Sequence, residues 1–430
     1  MTVARLIEGV VRNDLAAVME LLQVKPELAG LDSSAGDERR ALHFAVLGRS
    51  AEMVRVLMEH GADPNQGVYP YRRVTTPMAI ALDRGYNELV EILQSTVPPV
   101  GAGTSDPEFN DGELSHAVST GNIDEIRSLL DAGLDPDERR RVGGLEDDVY
   151  SWGRPLQIAA GAGMHAIAEL LLQRGADPNG HVYAAGTPVH KAVGRRDRRM
   201  VELLVRHGGV VLAESTGYFR SPGLARELVA LDEAGRLPRQ SLSPGSTLGA
   251  DFVEGGASGG CPEVLRMGLE RVDWPHCDPR WHKALHSSMA FWNHIPWLED
   301  AHPEFARDTY LECFQMILAR SGGRTVGGLG RTVLHDVAAM RTWVTDAEVE
   351  AFAAAALSAG ASLDGRDEIL RSTPLAWACQ WGRAGLVRLL LERGADGIDT
   401  AADEWAKPLA RARKSGSAVL LAALREHGIY

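Results

Sequence analysis

Only four cysteines occur in the 430 residues of this sequence, and no two of them form a CxxC pair. Cys261, Cys277, Cys313 and Cys379 are widely spaced, so neither a disulfide framework nor a zinc ribbon is indicated. Such a cysteine content is typical of a reducing compartment. We therefore expect a cytoplasmic protein.

Long apolar segments and excess positive charge are also missing. No stretch of about 18 apolar residues occurs, and the N-terminus lacks a basic head followed by an unbroken apolar run, so we expect neither a membrane span nor a secretory leader. The formal net charge is −13, which disfavours nucleic acid and anionic lipid as partners. Lysine is scarce, with 5 Lys against 40 Arg, and this bias is typical of GC-rich bacterial genomes.

Motifs that would identify an enzyme are absent as well. The sequence contains no phosphate loop, nucleophile elbow or dinucleotide-binding fingerprint. The glycine-rich segment Gly322–Gly330 lacks the Lys-Ser/Thr ending of a phosphate loop, and we interpret it as a flexible loop. We predict no catalytic residues, no metal ligands and no cofactor, and leave enzymatic activity as an alternative.

What the sequence does contain is an internal repeat. Three similar segments are RALHFAVLGRSAEMVRVLMEHGADPN from Arg40, RPLQIAAGAGMHAIAELLLQRGADPNG from Arg154, and STPLAWACQWGRAGLVRLLLERGAD from Ser372. Each opens with a Thr-Pro-Leu-His-like tetrapeptide and an Ala-rich helix, continues through a Gly turn into a Leu-rich helix, and ends in Gly-Ala-Asp. The pattern predicts stacked helix-turn-helix units.

Local signals predict where these helices begin and end. Thr187 can cap a helix, and Pro188 fits the first turn because no donor is lost there. Gly61, Gly175 and Gly394 stand where a helix needs a left-handed residue to end.

The repeat resembles that of the ankyrin family, in which a TPLH opening and a Gly-Ala-Asp close occur together. The resemblance implies an all-α, ankyrin-type helical solenoid with extended finger loops. We count eleven units, or twelve with a degenerate unit around Ser221–Leu224, and a long insertion near 273–305. The third tetrapeptide position falls at Leu6, Leu42, Met78, Leu114, Leu156, Val189, Leu248, Leu285, Leu334, Leu375 and Leu409.

The repeat pattern is clear in some parts of the chain and weak in others, and this variation predicts five segments. They are N-terminal repeats with a cap at 1–97, a linker at 98–112, central repeats at 113–215, degenerate repeats with the insertion at 216–329, and C-terminal repeats with a cap at 330–430.

Two further expectations concern the ends and joints of the stack. The Pro- and Gly-containing stretch Gly235–Gly256 is a second candidate hinge. Lys407, Arg411, Arg413 and Lys414 should lie on the solvated face of the C-terminal cap.

Histidines of the tetrapeptide are interpreted as structural. The resemblance implies that the fourth position hydrogen-bonds within and between repeats, so we predict no catalytic role for its histidines. We assign to that position His43, His116, His190, His286 and His335.

Insertions beyond the repeat are the candidate binding elements. Three of them contain Tyr, Trp and Arg, which are enriched at interface hot spots, and the resemblance places them on finger loops beside a concave face that binds partners. The alternative is that these side chains only stiffen the loops. The candidate contacts are Tyr69, Tyr71, Arg72, Arg73, Arg139, Arg140, Arg141, Tyr150, Trp152, His181 and Tyr183.

The segment 273–305 is unusually rich in Trp and His. Its Trp274, Trp281 and Trp292 are further candidate partner contacts, although the tryptophans would also suffice to form a local mini-core. His282 and His286 have the i, i+4 spacing of a metal-binding pair, and His276, Asp278 or Glu299 could complete a site. Without an HExxH motif or a Cys pair this signal is weak.

One run of arginines, Arg195–Arg199, should lie at the turn between two helices. It could bind an acidic partner or a phosphate, but the acidic balance of the chain favours a solvated charged turn.

The sequence therefore favours a non-catalytic scaffold that binds a protein or peptide through its concave groove and finger loops. In a bacterium such a protein could be a regulatory or protective partner of an enzyme or toxin. The alternative is an enzyme or a small-ligand or metal-binding protein with a site in the groove around Trp274–His302.

Overall fold

A computed structural model describes residues 3–31, 39–68, 74–95, 109–110, 112–138, 141–142, 145–146, 154–181, 186–295 and 302–430. Short α-helices dominate these residues. The first twelve are α1 (Val3–Val11), α2 (Leu15–Val24), α3 (Ala41–Leu47), α4 (Ala51–Glu59), α5 (Pro77–Asp83), α6 (Asn87–Ser95), α7 (Glu113–Thr120), α8 (Ile123–Asp131), α9 (Pro155–Ala162), α10 (His165–Gln173), α11 (Pro188–Gly194) and α12 (Arg198–Arg206).

The second half of the chain continues in the same way. Its helices are α13 (Ala213–Tyr218), α14 (Pro222–Glu233), α15 (Leu248–Gly259), α16 (Pro262–Leu269), α17 (Pro279–Ser288), α18 (Asp308–Ser321), α19 (Val333–Ala338), α20 (Asp346–Ser358), α21 (Pro374–Gln380), α22 (Ala384–Glu392), α23 (Pro408–Ser415) and α24 (Ala418–Glu426).

Minor elements complete the secondary structure. Short 3-10 helices cover Pro26–Gly30, Arg239–Ser241, Trp292–His294, Gly328–Gly330 and Glu404–Ala406. Three two-residue strands form an antiparallel sheet in the order β1 (Phe109–Asn110), β2 (Arg141–Val142) and β3 (Leu145–Glu146).

Each odd-numbered helix packs against the even-numbered helix that follows it, which gives twelve helix pairs in the described residues. Most pairs also stack on the next pair along the chain, first helix on first helix, as α9 does on α11. The expected all-α solenoid of eleven to twelve helix-turn-helix repeats is therefore confirmed, with the small sheet as an addition.

The pairs belong to two compact units. One consists of Met1–Gly103 together with Gly323–Tyr430, and so contains α1 to α6 and α19 to α24. The other is Thr104–Gly322, with α7 to α18 and the sheet. The first and last repeats of the chain thus share one unit.

Helix starts follow the sequence signals. The side chains of Thr76, Thr187 and Thr373 each accept a hydrogen bond from a backbone N–H in the first turn, and a proline follows each threonine.

Helix ends follow the sequence signals too. Gly61, Gly175 and Gly394 have φ of 86°, 94° and 90°. The residue after each of these glycines donates its N–H back to a carbonyl of the last helical turn, as Ala62 does to Leu57 over 3.0 Å.

The core combines small side chains on a first helix with larger ones on the second helix of the pair. Ala159 and Ala160 on a first helix are fully buried, which lets neighbouring pairs approach closely. On the second helix of the same pair, Ile167 and Leu171 fill the space between the helices. Burial of such side chains is the main stabilising contribution in a repeat that has no core of its own.

The prediction of a hinge at Gly235–Gly256 is wrong for its helical part, because α15 begins at Leu248 and is tightly packed. A Cβ on Gly255 would lie 2.1 Å from the carbonyl oxygen of Glu214 in α13, and a Cβ on Gly217 would lie 2.3 Å from the backbone nitrogen of Gly256. These glycines therefore serve a close approach of two helix backbones rather than flexibility.

The degenerate repeat lies around Ser221–Leu224 as predicted, in the pair α13–α14. Pro222 begins α14, the second helix of this pair. The first helix is α13, which starts at Ala213 without a Thr-Pro signal. A Ser-Pro dipeptide indicates the first turn of a helix but not which helix of the pair it starts.

The long insertion lies where the spacing predicted. It lengthens the link between α17 and α18, and the described part of that link contains the 3-10 helix Trp292–His294.

Candidate functional site

Three side chains at the fourth tetrapeptide position tie neighbouring repeats together. His43 Nε2 lies 3.1 Å from the carbonyl oxygen of Thr75, and His335 Nε2 lies 3.0 Å from that of Ser372. Gln157 makes the equivalent contact, donating its Nε2 to the carbonyl of Gly186 over 2.9 Å. In all three cases the acceptor belongs to the start of the next repeat. The interpretation of His43 and His335 as structural residues is confirmed.

The other ring nitrogen of these histidines fixes the tautomer. Backbone N–H groups can only donate, so Nδ1 of His43 accepts from Arg40 and Nδ1 of His335 accepts from Thr332. The proton of the neutral ring is then on Nε2, which donates to the next repeat. Burial lowers the pKa of His335, which keeps the ring neutral despite the nearby carboxylate of Asp367.

The assignment of His116 to this position is wrong. The buried third residue of that repeat is Leu114, so the fourth position belongs to Ser115, which is buried, whereas His116 is exposed. The N–H of Ser115 donates to the carboxylate of Glu138 over 3.0 Å. His190 also bonds to the next repeat, but through its other nitrogen, since Nδ1 lies 2.8 Å from Ser215 Oγ.

The tips of the predicted fingers lie outside the described residues. This applies to Tyr69, Tyr71, Arg72, Arg73, Arg139, Arg140, Tyr150, Trp152 and Tyr183. Of the remaining finger candidates, His181 is exposed, and Arg141 lies in β2, paired with Asn110 and Glu146.

The bases of two fingers are held by buried hydrogen bonds. Val68 and Thr75 flank the first finger, and the N–H of Val68 donates to Thr75 Oγ1 over 2.8 Å. Gly180 and Gly186 flank the third finger, and the amide of Gln157 donates to both carbonyls, over 2.8 and 2.9 Å. The end points of each loop are therefore fixed by the stack.

The second finger has a polar base. Both carboxylate oxygens of Asp137 accept from the N–H of Asp177, over 3.1 and 3.0 Å, and Arg154 lies 3.7 Å away. Burial raises the pKa of Asp137, while the hydrogen bond from Asp177 and the charge of Arg154 oppose this shift.

The Trp- and His-rich segment is largely a packing element in its described part. Trp281 is fully buried, and its Nε1 donates to the carbonyl of Pro275 over 2.9 Å. Trp281 is therefore wrong as a direct partner contact, because its ring is enclosed by its own unit. Trp274 and Trp292 are only half-buried, and Trp274 packs between Trp281 and the guanidinium of Arg280.

A buried polar network anchors the insertion to the repeats. Asn293 donates its Nδ2 to the carbonyls of Tyr218 and Gly259, over 2.8 and 3.0 Å. The N–H of Asn293 donates to the hydroxyl of Tyr310, whose pKa burial raises to about 12. This network supports the mini-core interpretation of the segment.

The possible metal ligands of the described residues do not form a cluster. No three His, Cys, Asp or Glu residues there are placed to hold a metal ion, so His282 and His286 lack a described third ligand. Burial raises the pKa of Cys379 to about 12 and also raises that of Cys261, so both thiols stay protonated.

The arginine run is engaged within its own unit. Arg198 pairs with Glu227 at 2.7 Å and with Glu202 at 2.9 Å, and the guanidinium of Arg196 lies 4.4 Å from the centre of the Phe305 ring. Arg220 lines the same surface depression and donates to the carbonyl of Gly259 over 2.7 Å. These contacts favour the charged-turn interpretation over a phosphate site.

Sequence reasoning missed one contact region altogether. Arg411, expected on a solvated face, is buried and paired with Asp83 at the end of α5. Lys414 pairs with the second oxygen of the same carboxylate. The residues lie more than 300 positions apart, so no local pattern in the sequence could reveal the contact.

None of the described helices combines the length and the apolar character needed to cross a bilayer.

Comparisons with known proteins agree with the helix-pair architecture. A family model described as ankyrin repeats (3 copies) matches residues 6–102, and one described as ankyrin repeat matches residues 154–181 and 371–403.

Three relatives illustrate the range of similarity. The chain is 29% identical over 214 residues to the B-cell lymphoma 3 protein homolog of Mus musculus, covering 46% of this chain and 43% of that protein. It is 37% identical over 100 residues to the cyclin-dependent kinase 4 inhibitor B of Bos taurus, covering 23% and 69%. It is 32% identical over 154 residues to the cyclin-dependent kinase inhibitor 2A of Homo sapiens, covering 35% and 89%.

A solved structure, the ankyrin repeat domain of Bcl-3, is 25% identical to the chain, with a TM-score of 0.20 and coverage of 48% of this chain and 86% of that chain. The chain thus spans less than half of the length of the mouse relative and most of the length of the kinase inhibitors.

Proposed function

We propose that this chain, which belongs to the ankyrin repeat family, is a non-catalytic scaffold that binds a protein or peptide. The contacts come from the finger loops and the adjoining groove. Tyr and Trp side chains supply contact area at low entropic cost, and arginines supply directional hydrogen bonds. The partner-binding residues are Tyr69, Tyr71, Arg72, Arg73, Arg139, Arg140, Arg141, Tyr150, Trp152, His181 and Tyr183, with Trp274 and Trp292 as outlying contacts.

The observation that carries this proposal is the fixation of the finger bases. The side-chain amide of Gln157 donates to the carbonyls of Gly180 and Gly186, at the two ends of the third finger. The hydroxyl of Thr75 bonds to the backbone N–H and carbonyl of Val68, at the other end of the first finger. The sequence inserts these loops beyond the regular repeat. A rigid stack that presents loops from fixed points is suited to binding rather than to chemistry.

We further propose that the protein bound by this scaffold is an enzyme or toxin in a bacterial cell, and that the scaffold is its regulatory or protective partner. Two relatives are named as inhibitors of cyclin-dependent kinases, which supports a role exerted by binding another protein. The excess of Arg over Lys supports the bacterial source. The cytoplasm is the compartment that the cysteine content favours.

A combined substitution of four finger aromatics tests the proposal. Tyr69→Ala, Tyr71→Ala, Tyr150→Ala and Trp152→Ala together should abolish capture of the partner from an extract of the native host, while the helical circular dichroism signal stays unchanged. The matched control is Tyr430→Ala, because Tyr430 is an exposed aromatic residue far from the fingers in sequence.

Affinity should then be measured by calorimetry with the purified partner. Undiminished affinity in the fourfold variant would rule out the fingers as the binding element. Loss of binding in the Tyr430→Ala control would show that the effect is not specific to the fingers.

A further inference from the structure

We propose that the C-terminal repeats carry a binding surface for an acidic helix end, and that the chain itself fills this surface with its own α5–α6 turn. The two residues of the turn are Asp83 and Arg84, and the surface consists of Trp405, Arg411 and Lys414. The contact ties the third repeat of one compact unit, α5–α6, to its last repeat, α23–α24, and we call this contact a clasp. The proposal is independent of the finger loops and of the function proposed above.

Asp83 stands where its charge is unfavourable for its own helix. It is the last residue of α5, and a carboxylate at the C-terminal end of a helix opposes the helix dipole. The side chain is nevertheless only 7% exposed, and its two oxygens pair with Arg411 and Lys414. The compensation for this carboxylate therefore comes from the C-terminal repeats.

Arg411 is positioned by its own end of the chain. Its side chain is only 2% exposed, and it donates to the carbonyl of Leu370 over 3.3 Å and to Gln380 Oε1 over 3.4 Å. Its guanidinium also lies over the Trp405 ring, 5.4 Å from the centre. A guanidinium held by these groups of the C-terminal repeats is a preorganised receptor for a carboxylate.

Arg84 makes the second half of the contact. It donates to the carbonyl of Ile369 over 2.7 Å, and its guanidinium lies 4.9 Å from the centre of the Trp405 ring. Trp405 is therefore contacted by Arg84 from the α5–α6 turn and by Arg411 from α23. The two cations of the surface bind the carboxylate of Asp83, and its backbone carbonyl and aromatic ring bind the guanidinium of Arg84. Together these groups specify an acidic residue followed by an arginine.

This arrangement has a consequence for partners. A partner that uses the surface around Trp405 has to present a carboxylate of its own and to displace Asp83. Displacement would leave Asp83 without its two cations, so opening of the clasp and binding at this surface are coupled.

Hydrogen exchange of the full-length protein, followed by mass spectrometry, tests the clasp. Asp83→Asn removes the charge but keeps the size of the side chain, and it should raise the exchange rate of amides in 366–372 and 402–407 by about tenfold or more, because Arg411 then remains buried without a counter-charge. The matched control is Glu88→Gln, which removes a charge from the same repeat at an exposed ion pair with Arg55. It should leave both segments unchanged.

A second variant keeps the test decisive if Asp83→Asn disturbs folding. Lys414 is half-exposed, so Lys414→Glu places a repelling charge beside Asp83 without opening the core, and it should raise exchange in the same segments and in 77–84. Exchange rates within about twofold of the wild type in both variants would overturn the proposal. An equal rise in the Glu88→Gln control would overturn it as well, since the effect would then follow from net charge alone.

Discussion

Asp83 and Arg411 form an ion pair although 328 positions separate them in the chain. Both side chains are almost completely buried, so each needs the other as a counter-charge. In a simple repeat array, contacts are confined to neighbouring repeats. Here one unit also depends on a contact between its third repeat, α5–α6, and its last repeat, α23–α24, in addition to the stacking of neighbours.

The buried histidine of the C-terminal block should make stability pH-dependent. Burial holds the pKa of His335 below its value in the unfolded chain, so the unfolded state binds the proton more readily. Its contribution to stability is complete above about pH 6.5 and is lost as the pH falls from there through the folded-state pKa. We expect a lower midpoint of thermal unfolding at about pH 5.5 than at about pH 7.5.

His335→Gln should reduce this pH dependence, because Gln157 shows that an amide can make the same bonds at the equivalent position. His116→Gln is the control, since His116 is exposed. If the two variants retain the same pH dependence as the wild type, His335 is not the responsible group.

Gln157 should contribute more to the free energy of unfolding than an exposed glutamine does. Gln157→Ala removes bonds to Arg154, Gly180 and Gly186 and leaves buried backbone groups unsatisfied, and we expect a loss of about 2 kcal/mol in the free energy of unfolding. Urea unfolding measures it. Gln173→Ala, at an exposed position on α10, should change the free energy by less than about 0.5 kcal/mol. Equal effects of the two substitutions would contradict the assigned role.

Two glycines in consecutive helices should respond in opposite directions to the same substitution. Gly217→Ala forces a Cβ to within 2.3 Å of the Gly256 nitrogen and should cost about 3 kcal/mol, because the backbones of α13 and α15 must separate. Gly223→Ala meets nothing within 4 Å in α14 and should stabilise the protein by about 0.5 kcal/mol. Denaturant unfolding of both variants decides this, and a neutral Gly217→Ala would show that the helices tolerate separation.

Substitution of two tryptophans of the insertion should distinguish a role in packing from a role in binding. Trp281→Ala should cost about 4 kcal/mol of unfolding free energy, because the ring is fully buried. Trp274→Ala should cost much less, since Trp274 is half-buried, and should weaken partner capture instead. Thermal unfolding and calorimetry with the purified partner measure the two effects. A Trp274→Ala variant that loses stability as strongly as Trp281→Ala would assign both rings to the core.

Much of the candidate surface could be anticipated from the sequence, because the insertions interrupt an otherwise regular spacing. The exact role of single residues could not. Trp274 and Trp281 look alike in the sequence, yet only the packing of the link against α17 decides that one ring is enclosed and the other is half-exposed. The fourth position of the α7 repeat, in contrast, follows from the sequence, because Ser115 is the residue directly after Leu114.

The sequence by itself determined the repeat, the helix pairs and the ends of those helices that carry a Thr-Pro or a Gly signal. These features depend on interactions within a few residues, such as the Thr187 cap and the left-handed Gly175, and local chemistry is readable from local sequence. The tertiary structure alone decided that α13 and α15 touch at their glycines and that Asp83 meets Arg411. Those contacts depend on where whole repeats come to lie in space. The two partners of each contact belong to different repeats, so a local sequence pattern does not connect them.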